Sequence, residues 1–324
     1  MRVLVIGGTL FIGRLLVEEL LRRGHDVSVL HRNARTQLPP GVRGIIADRN
    51  NSQAVRLALS GTRFDAVFDN VYDFERGTTA EQVEAAARAC ANDGLQRYVF
   101  MSTVAVFPPG LDHPDNGPLV PRDDPNSYAR NKANSERALF ALHERDGFPA
   151  VTLRPPFVYG PLNPFYREAF FWDRLRDGRP IIMPDDGSRL MQFAFVGDIV
   201  RCCMRVLELR EAVGHAFNLG ERPPLAQLDA VRAFARAAGR EPNIVFVPRE
   251  EALAAGGDPM GPKLYFGHYY DLPSITMLTD NMNHRLGIQA TPFDEGLRLT
   301  YDWWAANNLF PKPDYSFEDS LLCL

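Results

Sequence analysis

The chain has 324 residues, 45% of them hydrophobic and 23% charged, with a net charge of −4. That composition suits one large α/β domain or a large domain with a smaller partner, and its acidic balance gives no reason to expect a nucleic-acid partner. No apolar run reaches the length of a membrane span, so no membrane partner is expected either.

Residues 3–6, VLVI, form a short apolar run that ends in Gly7 and Gly8. Ile12, Leu15, Leu16, Leu20 and Leu21 then recur at helical spacing as far as Gly24, a helix-ending residue. Strands are expected at 26–30 (DVSVL), 44–47 (GIIA), 64–69 (FDAVFD) and 97–102 (RYVFMS). A helix fits between the last two, with Val83, Ala86, Ala87 and Cys90 on one face. A second helix beginning near Tyr128 leads to the strand AVTLRP at 150–155. Mostly apolar strands alternating with helices predict an α/β fold, a doubly wound parallel sheet of the Rossmann kind with its ligand crevice at the carboxyl ends of the strands.

Residues 155–192 and 256–292 are rich in Pro, Gly, Tyr and Phe and weak in periodicity, and are expected to cover that crevice. Between them, 196–209, 215–220 and 224–239 read as helix, strand and helix. The expected division is a dinucleotide-binding domain over 1–160, to which part of 193–222 returns, and a smaller substrate-binding part over 161–324. The first residues pass directly into a strand, without a charged leader or a small-residue cleavage site, which predicts a cytoplasmic protein. Cys90, Cys202, Cys203 and Cys323 form no CxxC pair and no ligand spacing with histidine, so neither a metal site nor a disulfide is expected.

A strand entering a glycine-rich turn that opens a helix is a ready anion site, because the first helical amides lack internal partners and the helix dipole favours negative charge. Gly7 and Gly8 permit backbone angles barred to other residues, and Gly13 lets the helix pack closely on the first strand. Leu10 stands where a third glycine usually approaches the pyrophosphate. Its amide remains available to a phosphate if its side chain turns away. Past the turn, the second strand ends in Leu30-His31-Arg32 with Arg35 close by and no acid for a ribose. An arginine there suits a 2′-phosphate and favours NADP over NAD, against the plain alternative of a solvated loop charge. Asp48, after the third strand, suits either the adenine amino group or a turn.

Tyr128 and Lys132, in SYARNK, are four apart and project from one helix face, one turn removed. A free tyrosine titrates near pH ~10, and a neighbouring ammonium is expected to bring it down towards neutrality. Ser102 and Thr103 lie at the carboxyl end of the fifth strand, where a hydroxyl could hold a substrate oxygen while Tyr128 exchanges its proton.

With GGTLFIG (7–13), ADRN (47–50), VFMSTVAVF (99–107), YARNK (128–132), LRPPFVYGP (153–161), FAFVGDI (193–199) and FNLG (217–220) in this order, the chain resembles the extended short-chain dehydrogenase/reductase superfamily, in its NAD-dependent epimerase/dehydratase branch. The closing stretch RLGIQATPFDEGLRLTYDWW is similar to that family's last helix. The resemblance implies Thr103 as the catalytic hydroxyl, Tyr128 as acid–base, and Lys132 as its activator and a ligand of the nicotinamide ribose. It implies a cofactor lined by Gly7, Thr9, Leu10, Phe11, Ile12, Arg32, Asp48, Asn70, Val71, Pro155 and Val158, with Ser102 beside the catalytic hydroxyl. By analogy it also implies a homodimer.

Departures from the family pattern narrow the chemistry. Sugar-nucleotide 4,6-dehydratases carry Asp-Glu after the catalytic threonine, where this chain has Val104 and Ala105. A glutamate at the position of Ala105 marks the decarboxylases. Epimerisation through a transient ketone, or net oxidation or reduction, remains. The arginines that neutralise a nucleotide diphosphate are replaced by Met191 and, in a looser match, His268. Arg189 could substitute, being on the face of Met191 if the segment is extended. Tyr72, Tyr159, Phe165, Tyr166, Tyr265, Tyr269 and Tyr270 suit an aromatic or apolar-faced small-molecule substrate, or simply a core. The competing reading is a non-catalytic NADP-binding member that holds RNA or a protein, since chloroplast RNA-binding relatives share the GGT-x-FIG turn. The intact Thr103, Tyr128 and Lys132 speak against it.

Overall fold

The computed structural model describes residues 1–307 and 310–324. Seven of the apolar runs pair in one wholly parallel sheet: β1 (Arg2–Ile6), β2 (Asp26–His31), β3 (Arg43–Ile46), β4 (Ala66–Asp69), β5 (Arg97–Met101), β6 (Ala150–Arg154) and β7 (Ala216–Asn218). Their spatial order is β7-β6-β5-β4-β1-β2-β3. The chain winds outward from β1 to β3, then crosses back to lay β4 on the other side of β1. That reversal opens the crevice at the carboxyl ends of β1 and β4, where an open α/β sheet takes its ligand.

Side-chain alternation explains why these strands are apolar throughout. Val3 and Val5 of β1 face one way with Val27, Val29, Phe68, Val99 and Leu153, while Leu4 and Ile6 face the other with Leu30, Val67, Tyr98 and Phe100. Each face is roofed by helices. α1 (Phe11–Arg22) and α6 (Val196–Glu208) lie on the first. α2 (Ser52–Leu59), α3 (Ala80–Cys90) and α4 (Ser127–Asp146) lie on the second. Cys202 and Cys203 are fully buried thiols in the α6 face.

Starts and stops of these helices follow local chemistry. Thr79 and Gln82 form a reciprocal capping box on α3. Asn126 accepts the amides of Tyr128 and Ala129 at 3.1 and 3.2 Å, and Gly147, at φ +68°, ends α4. The cap therefore sets which residues occupy the first turn of α4, Tyr128 among them.

The expectation of a weakly regular stretch over 155–192 is corrected in part. It contains the helix α5 (Glu168–Asp177) and short strands, Phe157–Tyr159 beside Phe193–Phe195 and Ile181–Pro184 beside Ile244–Val247. Every residue of α5 from Glu168 to Leu175 is buried, so the helix has no solvent stripe to give it an amphipathic period. It lies in a second apolar cluster with Phe193, the helix α7 (Gln227–Ala238) and the helix Phe293–Asn307. Among the described residues, no helix is long and apolar enough to cross a membrane, and no group of three or more His, Cys, Asp or Glu could hold a metal ion.

Candidate active site

The glycine turn is built by close approach. A Cβ on Gly13 would stand 2.0 Å from the carbonyl oxygen of Gly7, and one on Gly7 would meet Val71 at 2.4 Å. Gly7 also takes φ +86°, open to glycine at little cost. Phe11 takes φ +41° and buries its ring in the core, a strained backbone held by packing at the start of the helix. Leu10 sits at the N-cap of α1, extended, with no side-chain cap, and its side chain points outward at 69% exposure. The side chain thus leaves the turn open, and the first amides of α1 keep their affinity for an anion. Thr9 and Ile12 flank it, half-buried.

At the ends of β2 and β3, Arg32 bonds Asp73 at 3.1 Å. Arg76, which the sequence did not single out, bridges Asp73 at 2.7 Å and Asp48 at 2.8 Å. Arg76 holds both carboxyls below their usual range, Asp73 at about 2. Beneath them the buried pair Arg49–Asp69 is closed by the Tyr98 hydroxyl. Next to Asp69, both amide atoms of Asn70 are enclosed without a partner, as is the Ser102 hydroxyl. A cradle that a side chain would fill, an uncapped helix start and orphaned polar atoms along one rim fit a dinucleotide.

Thr103, just past β5, caps the short turn Val104–Val106 through the amide of Ala105 at 3.3 Å. The amide of Val104 bonds the Pro155 carbonyl at 2.9 Å, tying the ends of β5 and β6 together. Lys132 is buried and donates to the Met101 carbonyl at 2.7 Å, with its Nζ 4.7 Å from the Phe100 ring centre and 5.5 Å from that of Tyr72. Burial lowers its ammonium to about 8, opposed by the charge of Asp69. Tyr128 is held otherwise than the sequence suggests. Burial among aromatic rings pushes its phenol upward, and the groups that draw it down are the Thr103 hydroxyl and Arg167, while Lys132 donates to the Met101 carbonyl.

Around Tyr128, Tyr72 meets its ring edge-on at 4.7 Å and Phe74 stacks on it at 5.5 Å. Phe165 packs on Phe74 at 6.0 Å, and His268 and Tyr269 each on Phe165 at 5.8 Å. Of the other sequence-chosen substrate residues, His268 therefore joins this group, with a ring nitrogen 3.0 Å from the Met260 carbonyl. Met191 is buried in the second cluster, and Arg189 pairs with Asp271 at 3.4 Å; neither is among the rings around Tyr128. Val158 lies in the core and offers its carbonyl to Arg167 at 3.1 Å. Phe74, Arg76 and Arg167 went unnoticed because they sit in loops whose periodicity carries no signal. A 610 Å³ cavity between α4 and β7, lined by Asp115, His143, Arg154 and Arg285, contains none of these residues.

Compared with known proteins, residues 3–220 match the model of the NAD dependent epimerase/dehydratase family. The chain is 30% identical over 267 residues to the 41 kDa chloroplast stem-loop binding protein b of Arabidopsis thaliana, covering 77% of this chain and 67% of that one. It is 29% identical to the 2-alkyl-3-oxoalkanoate reductase of Stenotrophomonas maltophilia, over 74% of this chain and 76% of the other. The crystal structure of Thermus thermophilus UDP-glucose 4-epimerase in complex with NAD superposes with a TM-score of 0.76 at 26% identity, covering 95% of this chain and all of that one.

Proposed function

We propose that this chain, which belongs to the NAD dependent epimerase/dehydratase family, is an enzyme that interconverts a secondary alcohol and its ketone, with Tyr128 exchanging the proton at the substrate oxygen. The observation that carries this is the meeting of Thr103 and Tyr128 at the carboxyl end of β5, on the same edge of the parallel sheet as the open glycine turn. Gly7, Thr9, Leu10, Phe11, Ile12, Asn70, Val71, Ser102, Pro155 and Val158 would hold the dinucleotide, with Lys132 towards its ribose. When bound, a nicotinamide supplies hydride donation or acceptance at the carbon bearing that oxygen.

Thr103 would bind the substrate oxygen through its hydroxyl and so place it against the phenol. Burial raises the Tyr128 phenol, and a protonated phenol is the form that gives a proton to a carbonyl oxygen, as a reduction requires. Arg32 and Arg76 present two guanidinium groups where an adenosine ribose would end, which supports NADP ahead of NAD. A 2′-phosphate there would take them from Asp73 and Asp48. Val104 and Ala105 provide neither acid nor base for expelling water. With Met191 buried and Arg189 paired to Asp271, a diphosphate-bearing substrate lacks its usual cations. The similarity to a 2-alkyl-3-oxoalkanoate reductase supports a ketone outside the nucleotide sugars.

Tyr128→Phe should abolish turnover of the substrate while cofactor still binds, read by fluorescence of the reduced nicotinamide. Near-normal turnover by that variant refutes the proposal. The similarity to a stem-loop binding protein favours, as a second reading, a non-catalytic NADP-binding member that holds RNA. Filter binding of a labelled RNA hairpin across a salt series decides between them. Tight, steeply salt-dependent retention that Tyr128→Phe leaves unchanged selects the second.

A further inference from the structure

Arg167 is a buried cation without a counter-ion. It is 8% exposed, its Nη1 donates to the Val158 carbonyl at 3.1 Å, and its Nε is enclosed with no partner. No carboxylate lies within ion-pair distance of it among the described residues. The other buried arginines are satisfied. Arg49, Arg154 and Arg174 pair with Asp69, Glu136 and Glu318, and Arg97 donates to the carbonyls of Val206 and Gln96. Glu168, next in sequence, is taken up by the Tyr270 hydroxyl and by the Asn163 amide at 3.0 Å.

Four aromatic rings surround the guanidinium: Phe165 at 4.6 Å, Phe157 at 5.5 Å, Tyr269 at 5.6 Å and Tyr270 at 5.9 Å. Ring faces recover part of the lost hydration of a cation, but they leave its Nε donor unused, and a buried donor without an acceptor is costly. Phe165 also packs on Phe74, which stacks on Tyr128, so the uncompensated charge stands two rings from the proposed acid. The planar fork of an arginine matches a carboxylate with two parallel hydrogen bonds.

We propose that Arg167 receives a carboxylate of the substrate, so that the compound handled at Tyr128 is a carboxylate-bearing ketone or alcohol whose apolar part lies against Phe74 and Phe165. One cation, with His268 beside it kept neutral by burial and bonded to the Met260 carbonyl, balances a single negative charge. A diphosphate would leave charge unmatched among rings. The inference rests on the proposed chemistry at Tyr128 for its substrate, but its own claim is one of binding.

Isothermal titration of the full chain, saturated with cofactor, tests it with compounds that cannot be oxidised: 3-phenylpropanoate, its methyl ester and 2-phenylethyl phosphate. The carboxylate should bind roughly 10- to 100-fold tighter than the ester, the range expected for charge-assisted hydrogen bonds. Arg167→Gln, which removes the guanidinium charge and its fork, should erase that preference. Arg167→Lys, which keeps the charge and loses the fork, should retain a reduced preference, and it decides the matter alone if the glutamine variant fails to fold. Tyr128→Phe should leave the preference intact, so lost turnover and lost carboxylate binding separate failure at Tyr128 from failure at Arg167. The proposal is overturned if neither the carboxylate nor the ester binds, if the ester binds as well as the acid, if the preference survives in Arg167→Gln or is unchanged in Arg167→Lys, or if the phosphate binds tighter than the carboxylate.

Discussion

Replacing Lys132 by methionine should end turnover and, in the cofactor-free protein, raise stability at neutral pH. The ammonium is 4% exposed, and burial lowers it from 10.5 to about 8. Each unit of such a shift is worth about 1.4 kcal/mol, so holding the charge inside costs on the order of 3 kcal/mol at pH 7. Between the folded value and the unfolded one, the unfolded chain binds the extra proton, so the stability of the wild type rises with pH across that window. The penalty is thus full below about pH 8 and is relieved as pH rises towards 10.5. Working the linkage through, roughly 2 kcal/mol of it should disappear between about pH 7 and 9.5. The variant loses the bond to the Met101 carbonyl at every pH, an offset of about 1 kcal/mol that does not vary across the window. The comparison is therefore urea unfolding of both proteins at several pH values, where other titrating groups cancel. A stability difference that favours methionine at neutral pH and shrinks towards pH 9.5 by about this amount is expected. A difference flat with pH, or one that grows, refutes the claim that Lys132 is held charged against its surroundings.

Arg32→Ala should weaken NADP binding tenfold or more, about the value of one charge-assisted hydrogen bond, and leave NAD nearly unchanged. Equal loss for both removes the 2′-phosphate from Arg32. Gly13→Ala places a methyl 2.0 Å from the Gly7 oxygen, so it should cost about 1–3 kcal/mol of stability and abolish cofactor binding together. Unchanged calorimetry with either cofactor refutes close packing as the reason for that glycine. Leu10→Gly, at a side chain 69% exposed, should change stability by less than about 1 kcal/mol and leave cofactor affinity within a few-fold. A large loss would mean that the leucine side chain itself meets the ligand.

Local order in this chain was legible from residues 3–14 onward. The period of apolar residues, the freedom of Gly7 to take a positive φ and the stop of α1 before Gly24 are short-range matters, settled by neighbours within a few positions. So was the placing of Tyr128 and Lys132, four apart, on one helix. Strand runs and the order of helices carried the sheet class, because an all-apolar strand has only one kind of place to go.

What that local pattern could not express is which side chains find partners from far along the chain. Lys132 donates to the carbonyl of Met101, thirty-one residues away. Tyr128 takes its surroundings from Tyr72, Phe74 and Arg167, on two other loops. α5 looked shapeless in sequence because it is buried on every side, and Leu10 looked like a defect until its side chain proved to face solvent. Sequence by itself determined the sheet class and the elements on which Thr103, Tyr128 and Lys132 ride, since backbone geometry and periodicity act over a few residues. The tertiary structure alone decided which charges are neutralised. Arg49 and Arg167 read alike as letters; only the packing gives one an aspartate and leaves the other facing rings.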